Sequence, residues 1–132
     1  MSTSIHDFHD DPRNAHIKIW LNGQLKPRAE AMVSVFDSGF VLGDGVWEGF
    51  RVVAGQPVFL DAHLDRLFEG AKAIALDIGL SRAELKIAIS DTLKANGMRD
   101  DVHVRLMVTR GVKRTPYQDP RACIGSATVV MI

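Results

Sequence analysis

A single cysteine, Cys123, stands in 132 residues, so no disulfide can form within the chain and its stability has to come from packing. Net charge is missing too: 16 Lys and Arg balance 16 Asp and Glu, leaving no field of the kind that holds nucleic acid or an anionic membrane surface. No apolar run approaches the roughly 18 residues of a membrane span. Residues 1–13 lack the apolar centre of a signal peptide. There is no internal repeat and no low-complexity segment. These absences lead to the expectation of a soluble cytoplasmic protein whose partners are small molecules or other proteins, with no nucleic acid and no membrane.

What is present suits one domain, because 46% of the residues are hydrophobic and the length allows a core of its own. Residues 1–14 mix Ser, Thr, His, Asp and Pro without an apolar period and read as a flexible tail. Its His6, Asp7, His9 and Asp10 are ordinary metal ligands, but a tail does not fix their geometry, so no metal site is expected. Residues 15–132 read as the domain proper.

Ile17, Ile19 and Leu21 alternate with Lys18 and Trp20 and lead into Asn22-Gly23, a pair suited to a two-residue hairpin whose central positions both need positive φ. Further strands are predicted over 31–36 and 46–53, with a turn at 54–56 and a return over 57–60. Asp61 is placed to cap a helix in which Leu64, Leu67, Phe68, Ala71, Ile74, Ala75 and Ile78 recur at helical steps, ending near Gly79. Ser81 and Glu84 have the spacing of a capping box, and Leu85, Ala88, Ile89 and Leu93 form the stripe of a second helix that closes at Asn96-Gly97. Across 102–109, Val104, Leu106 and Val108 share one face while His103, Arg105, Met107 and Thr109 share the other. A long loop over 110–125 follows, and 127–132 begins a strand with no terminating signal, which reads as part of something longer. The expected fold class is α+β, an antiparallel sheet flanked by two consecutive helices.

The most unusual stretch is 37–51, where Gly39, Gly43 and Gly45 lie between two strands. Such glycines allow close approach of backbone to a ligand, and a tight turn explains them equally well. His63 and Arg66 lie one helical turn apart, so a guanidinium there can clamp a phosphate with two parallel hydrogen bonds. By spacing alone, pairing with Asp65 or Glu69 on a solvated face serves as well.

Taken together, three blocks resemble the class IV, fold-type IV aminotransferases, the branched-chain and D-amino-acid group. They are Val35-Phe36-Asp37 through Gly43-Asp44-Gly45-Val46-Trp47-Glu48-Gly49-Phe50-Arg51, then Phe59-Leu60-Asp61-Ala62-His63-Leu64-Asp65-Arg66-Leu67, then Val108-Thr109-Arg110-Gly111. They come in the family's order and spacing, and the resemblance runs from about Ile17 onward. It implies the small N-terminal domain of a pyridoxal 5'-phosphate enzyme. It implies that Arg66 binds the cofactor phosphate, and that Trp47 lines the substrate pocket where tyrosine or phenylalanine is more usual. His103 and Arg105 would line the same pocket, with Arg105 a candidate for holding a substrate carboxylate. The plain alternatives are an ion pair of Arg105 with Asp101 or Glu48 and a satisfied sheet histidine at His103.

D-amino-acid members carry an arginine and a histidine two residues apart after the Thr-Arg-Gly motif, where this chain has Thr115 and Tyr117, with Arg114 one residue away. The 47–51 block looks more like the branched-chain branch. The implied reaction is therefore amino-group transfer between a branched-chain or related amino acid and a 2-oxo acid, in a homodimer. The family's Schiff-base lysine belongs to a second domain. Lys18, Lys26, Lys72, Lys86, Lys94 and Lys113 do not lie in a matching segment, so these residues alone are expected to be inactive. The alternatives are a 4-amino-4-deoxychorismate lyase-like enzyme, a D-amino-acid or amine transaminase, and a non-catalytic binding or assembly module.

Overall fold

Asn22 and Gly23 take φ of 48° and 91° and close the hairpin between β1 (Lys18–Leu21) and β2 (Gln24–Pro27), as the turn chemistry requires. The computed structural model describes residues 7–132. Further along the chain come α1 (Ser38–Leu42), β3 (Gly45–Val53), β4 (Gln56–Pro57), α2 (Leu60–Ala73), α3 (Arg82–Asn96), β5 (Val102–Thr109) and β6 (Thr128–Met131). The six strands form one sheet in the order β2-β1-β6-β5-β3-β4, with every pairing antiparallel.

Strand alternation sorts the side chains by face. Phe50 and Val52 of β3, Val104, Leu106 and Val108 of β5, and Val129 and Met131 of β6 form one buried cluster with Leu64, Leu67 and Ala71 of α2 and Leu85, Ala88, Ile89 and Leu93 of α3. Burying each leucine or isoleucine there contributes about 1.5–3 kcal/mol, which makes this layer the main source of stability. The alternate residues Trp47, Arg51, His103 and Arg105 are exposed.

The second helix matches its expected signals. Ser81 Oγ accepts from Glu84 N–H and Ser81 N–H donates to the Glu84 carboxylate at 2.7 Å, while Gly97 ends the helix at φ 60°. The preceding helix is shorter than its apolar period suggests. Its N-cap is Phe59 at φ 54°, with Asp61 inside the first turn, and it stops at Ala73 because Ala75 turns left-handed at φ 51°. Ile78 still joins the core, but from the connecting segment.

The strand expected over 31–36 does not form. Met32, Val33 and Val35 are exposed, so the alternation has no face to bury. Asp37 takes over the local geometry, its Oδ1 accepting from Gly39 N–H at 2.8 Å to cap α1. Of the expected tail, residues 1–6 lie outside the described residues. Its later part is not loose: Asp11 caps a 3-10 turn over Pro12–His16, and Arg13 donates to the carbonyls of Asp100 and Asp101. Among the described residues, no helix is long and apolar enough to cross a membrane.

Candidate functional site

Glu48 has the same parity on β3 as Phe50 and Val52, so its carboxylate points inward toward α2 and is only 3% exposed. A buried acid has to find donors. The HxxR spacing supplies them, since His63 and Arg66 present one face of α2 to β3. Glu48 Oε1 accepts from Arg66 Nε at 2.5 Å, and Oε2 accepts from Arg66 Nη2 at 2.7 Å and from His63 Nδ1 at 2.7 Å. The Arg66 contact is a bidentate fork that fixes the guanidinium plane.

The Arg66 guanidinium holds the Glu48 carboxyl below its ordinary range against the opposing effect of burial, with His63 adding to the lowering. Glu48 in turn raises Arg66. An ionised carboxylate only accepts, so His63 Nδ1 carries the proton. The Arg66 side chain is nevertheless 71% exposed. Its bonds to Glu48 use Nε and Nη2, and the guanidinium has further N–H donors to offer an anion. Pairing with Asp65 or Glu69 is not what organises this helix face, as Asp65 pairs instead with Arg82.

The opposite strand face adds a second set. The Arg105 guanidinium lies over the Trp47 ring, 4.3 Å from its centroid, rather than pairing with Asp101 or Glu48. In register, Gly49 faces Arg105 and Arg51 faces His103. His103 leans over Gly49, where an added Cβ would come within 2.8 Å of its Nε2. Burial, then the charges of Arg105 and Arg51, push the His103 imidazolium toward its neutral form.

Gly45, Trp47, Gly49, Arg66, His103 and Arg105 line one open depression. The structure thus brings Trp47, Arg66, His103 and Arg105, four of the six candidate cofactor- and substrate-binding residues, to one place. Arg114 and Tyr117 stay on the 110–127 loop, outside that depression; Arg114 N–H donates to Ala122 O and Tyr117 N–H to Thr115 O.

Arg110 braces the site. It forks onto the Asp44 carboxylate at 2.7 and 3.1 Å and donates to the carbonyls of Ile74 and Ala75, tying the glycine turn before β3 to the end of α2. Glu48 is the residue that motif spacing passed over. The available signal was its inward parity in a strand with Phe50 and Val52, which demands a cationic partner. Among the described residues, no group of three or more His, Cys, Asp and Glu could hold a metal.

Comparison with known proteins places these observations in a family. The family model described as amino-transferase class IV matches residues 45–130. The chain is 49% identical over 109 residues to the branched-chain-amino-acid aminotransferase-like protein 1 of Arabidopsis thaliana, covering 83% of this chain and 20% of that protein. It is 43% identical over 116 residues to a putative branched-chain-amino-acid aminotransferase of Methanocaldococcus jannaschii, covering 88% and 39%. The solved branched-chain amino acid aminotransferase of Escherichia coli superposes with TM-score 0.78 at 26% identity, covering 88% of this chain and 38% of that one. Other matches include a D-alanine aminotransferase of Bacillus licheniformis and an aminodeoxychorismate lyase of Bacillus subtilis. The sheet and helices match the small N-terminal domain of such enzymes. The chain spans between a fifth and two fifths of the length of the relatives described.

Proposed function

The chain belongs to the class IV amino-transferases, and on that premise we propose that it supplies the phosphate clamp and one substrate wall of a pyridoxal 5'-phosphate enzyme. The reaction we assign is amino-group transfer between a branched-chain or related amino acid and a 2-oxo acid. One observation carries the reading: Arg66 is held by the buried Glu48 yet remains exposed beside Trp47, His103 and Arg105 in one depression.

The donor set fits the phosphate end of the cofactor. A phosphate dianion needs a cation with outward N–H groups and a fixed plane, which the Glu48 fork gives Arg66. The cofactor, when bound, supplies the electron sink for the transfer. Arg66 binds and orients, and Glu48 and His63 hold Arg66 in place. Trp47 and Arg105 form a stacked wall whose cation suits a substrate carboxylate, and His103 closes that wall over Gly49. The cofactor's lysine belongs, in this reading, to the part of the longer relatives that this chain does not match, so the 132 residues alone do not turn over substrate. The aminodeoxychorismate lyase match keeps an elimination as the second reading.

The test is titration of the chain with pyridoxal 5'-phosphate, followed by cofactor fluorescence, against Arg66→Ala. The expected result is a loss of affinity of about tenfold or more, the worth of a charge-assisted fork. Equal affinity in the variant would sink the assignment of Arg66. Assaying the longest polypeptide that the gene encodes for a new amino acid or for a product of elimination separates transfer from elimination.

A further inference from the structure

Lys86, Ile89, Leu93 and Lys94 recur at helical steps and share one face of α3. That face lines a cleft whose far wall is the turn between β3 and β4, with Leu60 of α2 toward one end and Met98 and Arg99 toward the other. The cleft offers about 630 Å³, the size of a small-molecule site. It shares no lining residue with the depression around Arg66.

The turn that forms the far wall is held from outside the sheet. Ala54 and Gly55 take φ of 51° and 74°, as a two-residue hairpin requires, and alanine stays there only where other contacts hold it. Residues 99 and 100 do so: Ala54 N–H donates to Asp100 Oδ1 at 2.6 Å and Gly55 N–H to Arg99 O at 2.9 Å. The Arg99 guanidinium lies against Gly55, where an added Cβ would sit 3.3 Å from its Cζ, and its Nη2 donates to Ala54 O at 3.4 Å. Its other N–H groups are left for an anion.

Charge is uneven along the cleft. Lys86 is answered by Asp61, at 2.6 Å. At the other end Lys94 and Arg99 have no carboxylate partner among the described residues, and no acidic side chain lines the cleft. Asp100, next to Arg99, is engaged by the Ala54 N–H. The carbonyls that end α3 would repel an anion, but Leu93 O already accepts from Met98 N–H and Lys94 O from Gly97 N–H. Between the two ends the lining is apolar, with Leu60, Ile89, Leu93 and Met98.

We propose that this cleft binds an amphipathic carboxylate, its head on Arg99 and Lys94 and its apolar chain running along Met98, Leu93 and Ile89 toward Lys86. A guanidinium takes the two carboxylate oxygens in a fork and an ammonium adds a point charge, so the unanswered end of the cleft selects an anion. Lys86 to Lys94 is about 12 Å along the helix axis, which suits an alkyl chain of medium length. The Lys86 end, already neutralised by Asp61, calls for no second charge on the ligand. A short carboxylate lacks the apolar contact, and an uncharged chain leaves both cations unanswered. This site stands apart from the reading of Arg66, since either can hold without the other.

The experiment titrates the isotope-labelled chain with octanoate at low salt, following backbone amide signals, with octanol and acetate as comparisons. Octanoate is expected to shift Gly55, Ser90 and Gly97, which line the cleft, and to leave Gly49 and His103 in place. Arg99→Gln should weaken octanoate by about tenfold, the worth of a charge-assisted fork. Lys94→Gln, on the exposed side of α3 and away from the turn, should weaken it less. Unchanged affinity in both variants overturns the proposal. So does octanol or acetate binding at the same signals as tightly as octanoate. Octanoate shifts confined to Gly49 and His103 would put the carboxylate in the Arg66 depression and overturn this site as well.

Discussion

At the scale of single residues, the site turns on a buried acid. Glu48 accepts three hydrogen bonds from two residues of α2, and its replacement by glutamine, nearly equal in size, sets an amide NH2 against donors. Glu48→Gln is expected to cost about 1–3 kcal/mol in urea unfolding, the range for leaving buried polar groups badly paired. The pH dependence has a definite sign. Glu48 titrates below its ordinary value in the folded chain, so its stabilisation is complete above the unfolded value of about 4.3 and is lost as pH falls through the lower folded value. The gap between wild type and Glu48→Gln therefore narrows as pH drops below about 4.3. A gap that stays constant there would mean that the carboxylate charge is not what holds Arg66. Arg66 was legible in the sequence because its HxxR block resembles a family. Its partner was not, since Glu48 and Arg66 are 18 positions apart and only the pairing of strand with helix brings them within 2.5 Å.

At the scale of elements, local capping chemistry was a sound guide for α3 and an unsound one for α2. Ser81 makes both bonds of its capping box, whereas Asp61 sits inside the first turn and reaches Lys86 at the surface. Ser81→Ala is expected to cost about 1 kcal/mol and to lower Tm by about 3–5 °C, read by thermal unfolding. Asp61→Ala should cost less in the same assay, and an equal loss would show that Asp61 matters to the helix end as much as a cap does. The 31–36 segment teaches a related lesson. Its alternation resembles a strand, but a strand needs a partner edge and a face to cover, and Asp37 offers the backbone a helical start instead.

At the scale of the whole molecule, several of the exposed apolar side chains fall in one stretch of the chain. Met32, Val35, Phe40 and Trp47 are all more than half exposed, a pattern that marks contact with another surface. In line with the homodimer that the family resemblance implies, the chain is expected to self-associate with rising concentration in sedimentation equilibrium, and Phe40→Ser to weaken that association while leaving Tm unchanged at concentrations where both chains are monomeric. A chain that stays monomeric throughout the concentration range would remove this surface from the argument.

By itself, the sequence determined several features that depend on neighbours along the chain: the Asn22-Gly23 hairpin, the capping box, the inward and outward faces of β5, and the order of blocks that marks the family. These are set by φ preference, by hydrogen bonds spanning a few residues and by the two-residue period of a strand, all local quantities. Only the tertiary structure decided the strand order β2-β1-β6-β5-β3-β4, the fork of Arg66 on Glu48, the stacking of Arg105 on Trp47 and the early stop of α2 under Arg110. Each of these joins residues far apart in the chain. Their energies depend on burial and on distance across packed layers, and neither is defined until the layers have met.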